Sequence, residues 1–86
     1  MSYSTTDEMF PTIKAILIDN IPLIQVDDLN EETDLYEIGL DSINSVNFAL
    51  AIEERYGIMF KDEHILGQNF TTIGRIIQLL KDEYIK

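Results

Sequence analysis

The 86-residue chain has no cysteine and no tryptophan, and only two prolines and four glycines. Without cysteine there is neither a disulfide framework nor a thiolate metal site, so packing alone must hold the fold and any thiol the protein uses must be imported. Basic residues are scarce as well: six Lys and Arg against sixteen Asp and Glu leave a net charge of −10 and a pI near 4.2. A surface of that sign is a poor partner for nucleic acid. No stretch approaches the roughly 20 apolar residues of a membrane span. The opening Met1-Ser2-Tyr3-Ser4-Thr5-Thr6 lacks the basic and apolar runs of a signal peptide, so the expected location is cytoplasmic. The length leaves room for one domain over 1–86, with a folded part expected from about residue 7 to 85.

What the chain does have is enough apolar material for a small core. Forty-five per cent of the residues are apolar, and they include four Phe and four Tyr, which is too much for a disordered chain despite the charge. The acidity is also uneven. Between Lys14 and Arg55 there is no basic residue, while Asp19, Asp27, Asp28, Glu31, Glu32, Asp34, Glu37, Asp41, Glu53 and Glu54 all fall in that interval. One half of the molecule is thus arranged to steer toward basic partner surfaces.

Apolar spacing predicts an all-α bundle of three main helices and one short one, with a long loop between the first two. Met9, Ile13, Ile16, Leu17 and Ile21 mark a first helix from about 7 to 20. Pro11 should lie in its first turn, behind a cap at Thr6 or Asp7 or with the helix proper starting near Phe10, and Asn20-Ile21-Pro22 reads as its stop. Residues 22–41 show no period, and Leu23, Ile24, Val26, Leu29, Leu35 and Ile38 should anchor them to the core. No register of this acidic loop supplies a calcium ligand set: counted from Asp28, the turn glycine is replaced by Thr33 and the closing glutamate by Gly39.

The second helix is predicted over 42–56, opening at Asp41-Ser42 and ending at a left-handed Gly57. It has two apolar faces. Phe48, Ala49, Ile52 and Tyr56 should face the core. Ile43, Val46 and Leu50, flanked by Asn47, Glu53 and Glu54, form a stripe on the other side whose polar neighbours resist burial, so it reads as a partner surface. Ile58-Met59-Phe60 is a connector, and Lys61–Leu66 a short helical turn ended by Gly67. The last helix has Thr71 as its expected cap, with Ile73, Ile76, Ile77, Leu80 and Tyr84 turned inward.

The chemistry centres on Gly39-Leu40-Asp41-Ser42-Ile43. A serine at a helix start is commonly a cap, but its hydroxyl also lies among N–H groups at the positive end of the helix dipole, a setting suited to a phosphate. Catalytic companions are missing. No glycine follows two residues later as in a nucleophile elbow, and His64, the only histidine, sits in a charged turn and is expected to face solvent. No residue is assigned a catalytic or metal-binding role, and Ser42 reads as a modification site.

Leu35-Tyr36-Glu37-Ile38-Gly39-Leu40-Asp41-Ser42-Ile43, followed by Val46 and by Glu53-Glu54-Arg55-Tyr56-Gly57-Ile58, resembles the signature of acyl carrier proteins, and the likeness extends over nearly the whole chain. The resemblance implies that a separate Mg²⁺-dependent phosphopantetheinyl transferase moves 4′-phosphopantetheine from coenzyme A to Ser42, with Asp41 helping to engage it. The arm would supply the missing thiol, carry acyl groups as thioesters and present them to other enzymes. Ile43, Val46, Asn47, Leu50, Glu53 and Glu54 would be the docking surface for acyl-loading, condensing and acyl-transfer enzymes with basic faces, and the carrier itself would be a non-catalytic monomer.

Two departures stand out. Fatty-acid carriers usually have glutamate where Asn47 stands, and Arg55 adds a positive charge near the end of the helix. Both point to a specialised carrier, for a polyketide, a modified lipid or an aminoacyl group, rather than one for bulk fatty-acid synthesis. The alternatives are an aminoacyl or peptidyl carrier loaded by an adenylating enzyme and, in another class, an unmodified helical interaction module. Aminoacyl and peptidyl carriers often have His where Asp41 stands and are less acidic, so the resemblance leans toward an acyl cargo. Because acidic self-repulsion opposes the compact state, millimolar Mg²⁺ at low salt is expected to raise the melting temperature. An unchanged melting curve would contradict this.

Overall fold

The structure is a computed structural model that describes residues 5–24, 27–66 and 68–85. Its elements are helical, with no strand among the described residues: α1 (Thr5–Asn20), α2 (Asn44–Tyr56), α3 (Asp62–Leu66) and α4 (Ile73–Leu79), the last continuing into a π-helical turn over Leu80–Tyr84. Short 3-10 turns at Leu35–Ile38 and Gln68–Phe70 interrupt the connections.

The inward stripes follow the apolar spacing. Met9, Ile13, Leu17 and Ile21 from α1 and its end pack with Phe48, Ala49 and Ile52 from α2 and with Ile73, Ile76, Ile77, Leu79 and Leu80 from the last helix. Phe60 is buried and Ile58 half-buried, as the connector reading required. A chain of edge-on aromatic contacts crosses the core: Phe48 to Phe70 at 6.0 Å, Phe70 to Phe60 at 5.3 Å, and Phe60 to Tyr84 at 5.1 Å. This near-perpendicular geometry sets ring edges against ring faces. Tyr56 closes the α1–α2 contact, where burial raises its phenol above the ordinary value while Arg55 and a hydrogen bond with Thr12 pull it back.

Several boundaries differ from the sequence reading. Helix α1 starts at Thr5, so Pro11 lies in its second turn rather than its first. Proline removes one N–H from the ladder, and the turn before it still continues the helix. The cap of α4 is Thr72, whose hydroxyl accepts from the Arg75 N–H at 3.0 Å. Thr71 is diverted because its hydroxyl donates to the Gln68 carbonyl at 2.8 Å and its carbonyl accepts from Leu35. His64 is half-buried rather than solvent-facing. Its Nδ1 is 2.6 Å from the Tyr84 hydroxyl, which also accepts from the Lys61 N–H at 2.9 Å. Gly57 caps α2 in the left-handed conformation expected of it, with φ 67°. The expected anchor at Val26 and the stop at Gly67 lie outside the described residues.

The long loop is ordered by its backbone as much as by its side chains. Ile24, Leu29 and Leu35 are buried as expected and Ile38 half-buried, but Leu23 is 91% exposed and anchors nothing. Two backbone bonds clasp the loop to the start of the last helix: Leu35 N–H donates to the Thr71 carbonyl at 2.7 Å, and Gly74 N–H donates to the Glu31 carbonyl at 2.9 Å. The Gly74 N–H lies in the first turn of α4, where no intrahelical acceptor exists, so the loop supplies the partner that the helix lacks. Within the loop, Asn30 Oδ1 accepts from Glu32 N–H at 2.7 Å and Asp34 Oδ1 from Tyr36 N–H at 2.9 Å.

The clasp requires glycine. A Cβ on Gly74 would stand 2.9 Å from the Glu31 carbonyl oxygen, closer than real Cβ atoms come. Alanine in a helix is ordinarily worth about 1 kcal/mol over glycine, whereas overpacking costs about 1–3 kcal/mol. Gly74→Ala is therefore expected to destabilise the fold by about 1 kcal/mol in urea unfolding. A gain in stability instead would show that the loop yields without loss.

Candidate functional site

At the junction of the long loop with α2, the chain turns through Ser42 and Ile43 before the regular helix begins at Asn44, two residues later than the spacing predicted. The reason is the capping pattern. Asp41 Oδ1 accepts from the N–H groups of Ile43 at 2.9 Å and Asn44 at 2.7 Å, and the Asp41 carbonyl takes the Ser45 N–H at 2.9 Å. Asn44 Nδ2 reaches back to Asp41 Oδ2 at 3.3 Å and to the Gly39 carbonyl at 3.4 Å. Asp41 thus performs the capping chemistry, although Ile43 is the residue next to the regular helix.

This changes the electrostatic picture of Ser42. The N–H groups that the sequence suggested for a phosphate are already taken by the Asp41 carboxylate, and its charge offsets the positive end of the dipole. Ser42 itself is exposed. Its carbonyl accepts from the buried Ser45 hydroxyl at 3.1 Å, while its own hydroxyl makes no hydrogen bond among the described residues. The result is an exposed hydroxyl, without a partner among the described residues, on a backbone held from both sides.

The second apolar face of α2 is uncovered. Ile43 is 76%, Val46 41% and Leu50 54% exposed, while the opposite face is fully buried at Phe48, Ala49 and Ile52. Asn47 and Glu54 are exposed beside the stripe. Glu53 is half-buried and has a structural task that periodicity did not reveal: its Oε2 accepts the Phe60 N–H at 2.6 Å, tying the connector back to α2. Arg55 lies away from the stripe, with its guanidinium carbon 5.6 Å from the centre of the Tyr56 ring.

Beside the stripe runs an open groove of about 610 Å³, lined by Asn20 at the end of α1, by Asn47, Leu50, Ala51, Glu53 and Glu54 of α2, and by Ile58. A smaller polar groove of about 280 Å³ lies against the last helix, with His64, Asn69, Arg75 and Asp82 among its lining residues. Among the described residues, no three His, Asp or Glu side chains gather as a metal site, and no helix is long and apolar enough to cross a membrane. The first groove was not legible beforehand, because it depends on where the end of α1 meets α2.

Comparison with known proteins gives the site its family. Residues 11–80 match the family model described as the phosphopantetheine attachment site. The chain is 28% identical over 76 residues to an acyl carrier protein of Coprothermobacter proteolyticus, covering 87% of this chain and 89% of the relative. It is 39% identical over 56 residues to an aminoacyl carrier protein of Agrobacterium fabrum, covering 65% and 68%. In three dimensions it matches, with a TM-score of 0.73 and 37% identity over 85% of this chain and 96% of the other, a chain of the crystal structure of an engineered Bradyrhizobium japonicum glycine:[carrier protein] ligase complexed with a carrier protein from Agrobacterium tumefaciens and ATP. Such carriers are generally non-catalytic and work with partner enzymes. With a matching span that runs from α1 through the last helix, the chain belongs to the acyl carrier protein family, defined by its phosphopantetheine attachment site.

Proposed function

We propose that this protein is a thioester carrier whose attachment point is Ser42. The observation that carries the reading is the free Ser42 hydroxyl on a clamped backbone, next to an uncovered apolar stripe with acidic neighbours. A phosphopantetheinyl transferase would supply the base for the Ser42 proton. Ser42 Oγ forms a new P–O bond with coenzyme A's pyrophosphate, the P–O–P bridge breaks, and the adenosine bisphosphate half leaves. The arm then supplies the thiol that holds cargo as a thioester.

Each residue of this chain acts by position. Asp41 orders the turn that presents Ser42 and places a carboxylate beside it for the transferase. Ile43, Val46 and Leu50 offer apolar contact, and Asn47, Glu53 and Glu54 the polar margin, to basic enzyme surfaces. A small, charge-steered interface favours fast association and short residence, as a carrier that visits several enzymes requires.

In the first reading the cargo is an acyl intermediate of fatty-acid, polyketide or specialised lipid synthesis, carried by a cytoplasmic monomer. A second reading, an aminoacyl cargo loaded by an adenylating ligase, is supported by likeness to the aminoacyl carrier, 39% over 56 residues, and to the chain from the ligase–carrier crystal structure, 37% over 85% of this chain, beside 28% over 76 residues for the acyl carrier of Coprothermobacter proteolyticus. Asn47, in place of the acid usual in fatty-acid carriers, agrees with it.

Incubation with coenzyme A, Mg²⁺ and a broad-specificity transferase is expected to add the mass of one phosphopantetheine to the native chain and none to Ser42→Ala. No gain by the native chain, with a transferase that loads another carrier, would overturn the assignment. Asp41→Ala is expected to lower stability by about 1 kcal/mol through loss of its capping bonds and to slow arm transfer. Unchanged melting and unchanged transfer would remove Asp41 from the site.

A further inference from the structure

We infer that the groove between the end of α1 and the outer side of α2 receives the cargo end of the arm when that cargo is an aminoacyl group, with Glu54 facing its ammonium and Leu50, Ala51 and Ile58 its side chain. This rests on the arm at Ser42 and on the aminoacyl reading of the cargo.

Three observations lead there. The first is charge. The charged residues lining the groove are both carboxylates, Glu53 and Glu54. Glu53 is committed to the Phe60 N–H, while the exposed Glu54 has no hydrogen bond or ion pair among the described residues. Arg55, the one cation of α2, lies over the Tyr56 ring and does not line the groove. A cationic ligand is therefore favoured there and a carboxylate-bearing acyl group disfavoured.

The second is reach. Ile43, Asn47, Leu50 and Glu54 recur at intervals of four, three and four residues and so share one face of the helix. An arm rooted at Ser42, in the turn that precedes α2, would reach the groove by running along that face. At 1.5 Å per residue, the rise from Asn44, where the helix begins, is about 4.5 Å to Asn47 and about 15 Å to Glu54.

The third is the composition of the lining. Leu50, Ala51 and Ile58 give an apolar strip for an amino-acid side chain, and the neutral amides of Asn20 and Asn47 border it. An exposed ion pair is weak, but a tethered cargo meets the groove at an effective concentration on the order of millimolar, which suits contact that must be released. Release has a built-in trigger: Leu50, Glu53 and Glu54 belong both to the groove and to the docking stripe, so an enzyme that covers the stripe competes with the resting cargo.

The test compares two cargoes that differ only in the amine. The native chain and Glu54→Gln are loaded with hydrolysis-resistant leucyl and 4-methylpentanoyl pantetheine analogues, verified by intact mass, and backbone amide shifts are measured against the thiol form. Shifts at Asn20, Ala51 and Glu54 are expected to be several-fold larger for the leucyl form than for the 4-methylpentanoyl form in the native chain, and to become similar in Glu54→Gln, whose exposed position leaves the core intact. Shifts confined to the neighbours of Ser42, or equal for both cargoes in the native chain, would overturn the inference. If intact mass shows that no arm attaches, the carrier reading fails by itself. Millimolar leucyl-pantetheine and 4-methylpentanoyl-pantetheine titrated into the unmodified chain then decide the groove: an amine-dependent shift at the same residues upholds it, and equal or absent shifts overturn it.

Discussion

Two backbone hydrogen bonds, from Gly74 N–H to the Glu31 carbonyl and from Leu35 N–H to the Thr71 carbonyl, decide where the long loop runs. The loop carries most of the local negative charge and would repel itself if left loose. Held against α4, it delivers Leu35 and Leu40 to the core and brings Gly39 and Asp41 to the start of α2. The junction that presents Ser42 therefore depends on contacts made at the far end of the sequence, in the first turn of the last helix.

That dependence explains what could be read from the chain and what could not. Period-based reasoning found the core residues because burial follows helical spacing: Ile13, Leu17, Phe48, Ile52, Ile73 and Ile76 are all fully buried. It found the exposed stripe of α2 for the same reason. It misplaced the cap of α4 by one residue, because Thr71 and Thr72 are chemically alike and only the long-range bond from Leu35 separates their tasks. Leu23 looked like an anchor because it is apolar, yet nothing local states whether an isolated leucine in a loop meets the core. His64 looked exposed because its sequence neighbours are charged, and its partner Tyr84 is twenty residues away.

At the site, residue types were legible and roles were not. Asp41 next to Ser42 marked the family pattern, but that the carboxylate would consume the N–H groups expected to hold a phosphate follows only from the turn geometry. Glu53 looked like a charge for partners and also closes a tertiary contact at Phe60. Glu54, one residue further along, has no such duty. Two adjacent acids of the same sequence class thus differ: one closes a contact within the fold, and the other stands exposed with no partner among the described residues.

The arrangement around Ser42 also has a consequence for how far a tethered group can wander. Its root is held by hydrogen bonds of Asp41 and Ser45, while no described residue bonds the hydroxyl oxygen from which a tether would start. A tether there would swing from this pivot, and the volume open to it would be set by its own length and by the bulk of α2 on one side. Lengthening or shortening the arm would rescale that territory without disturbing the pivot, so a change in arm length is separable from a change in the protein.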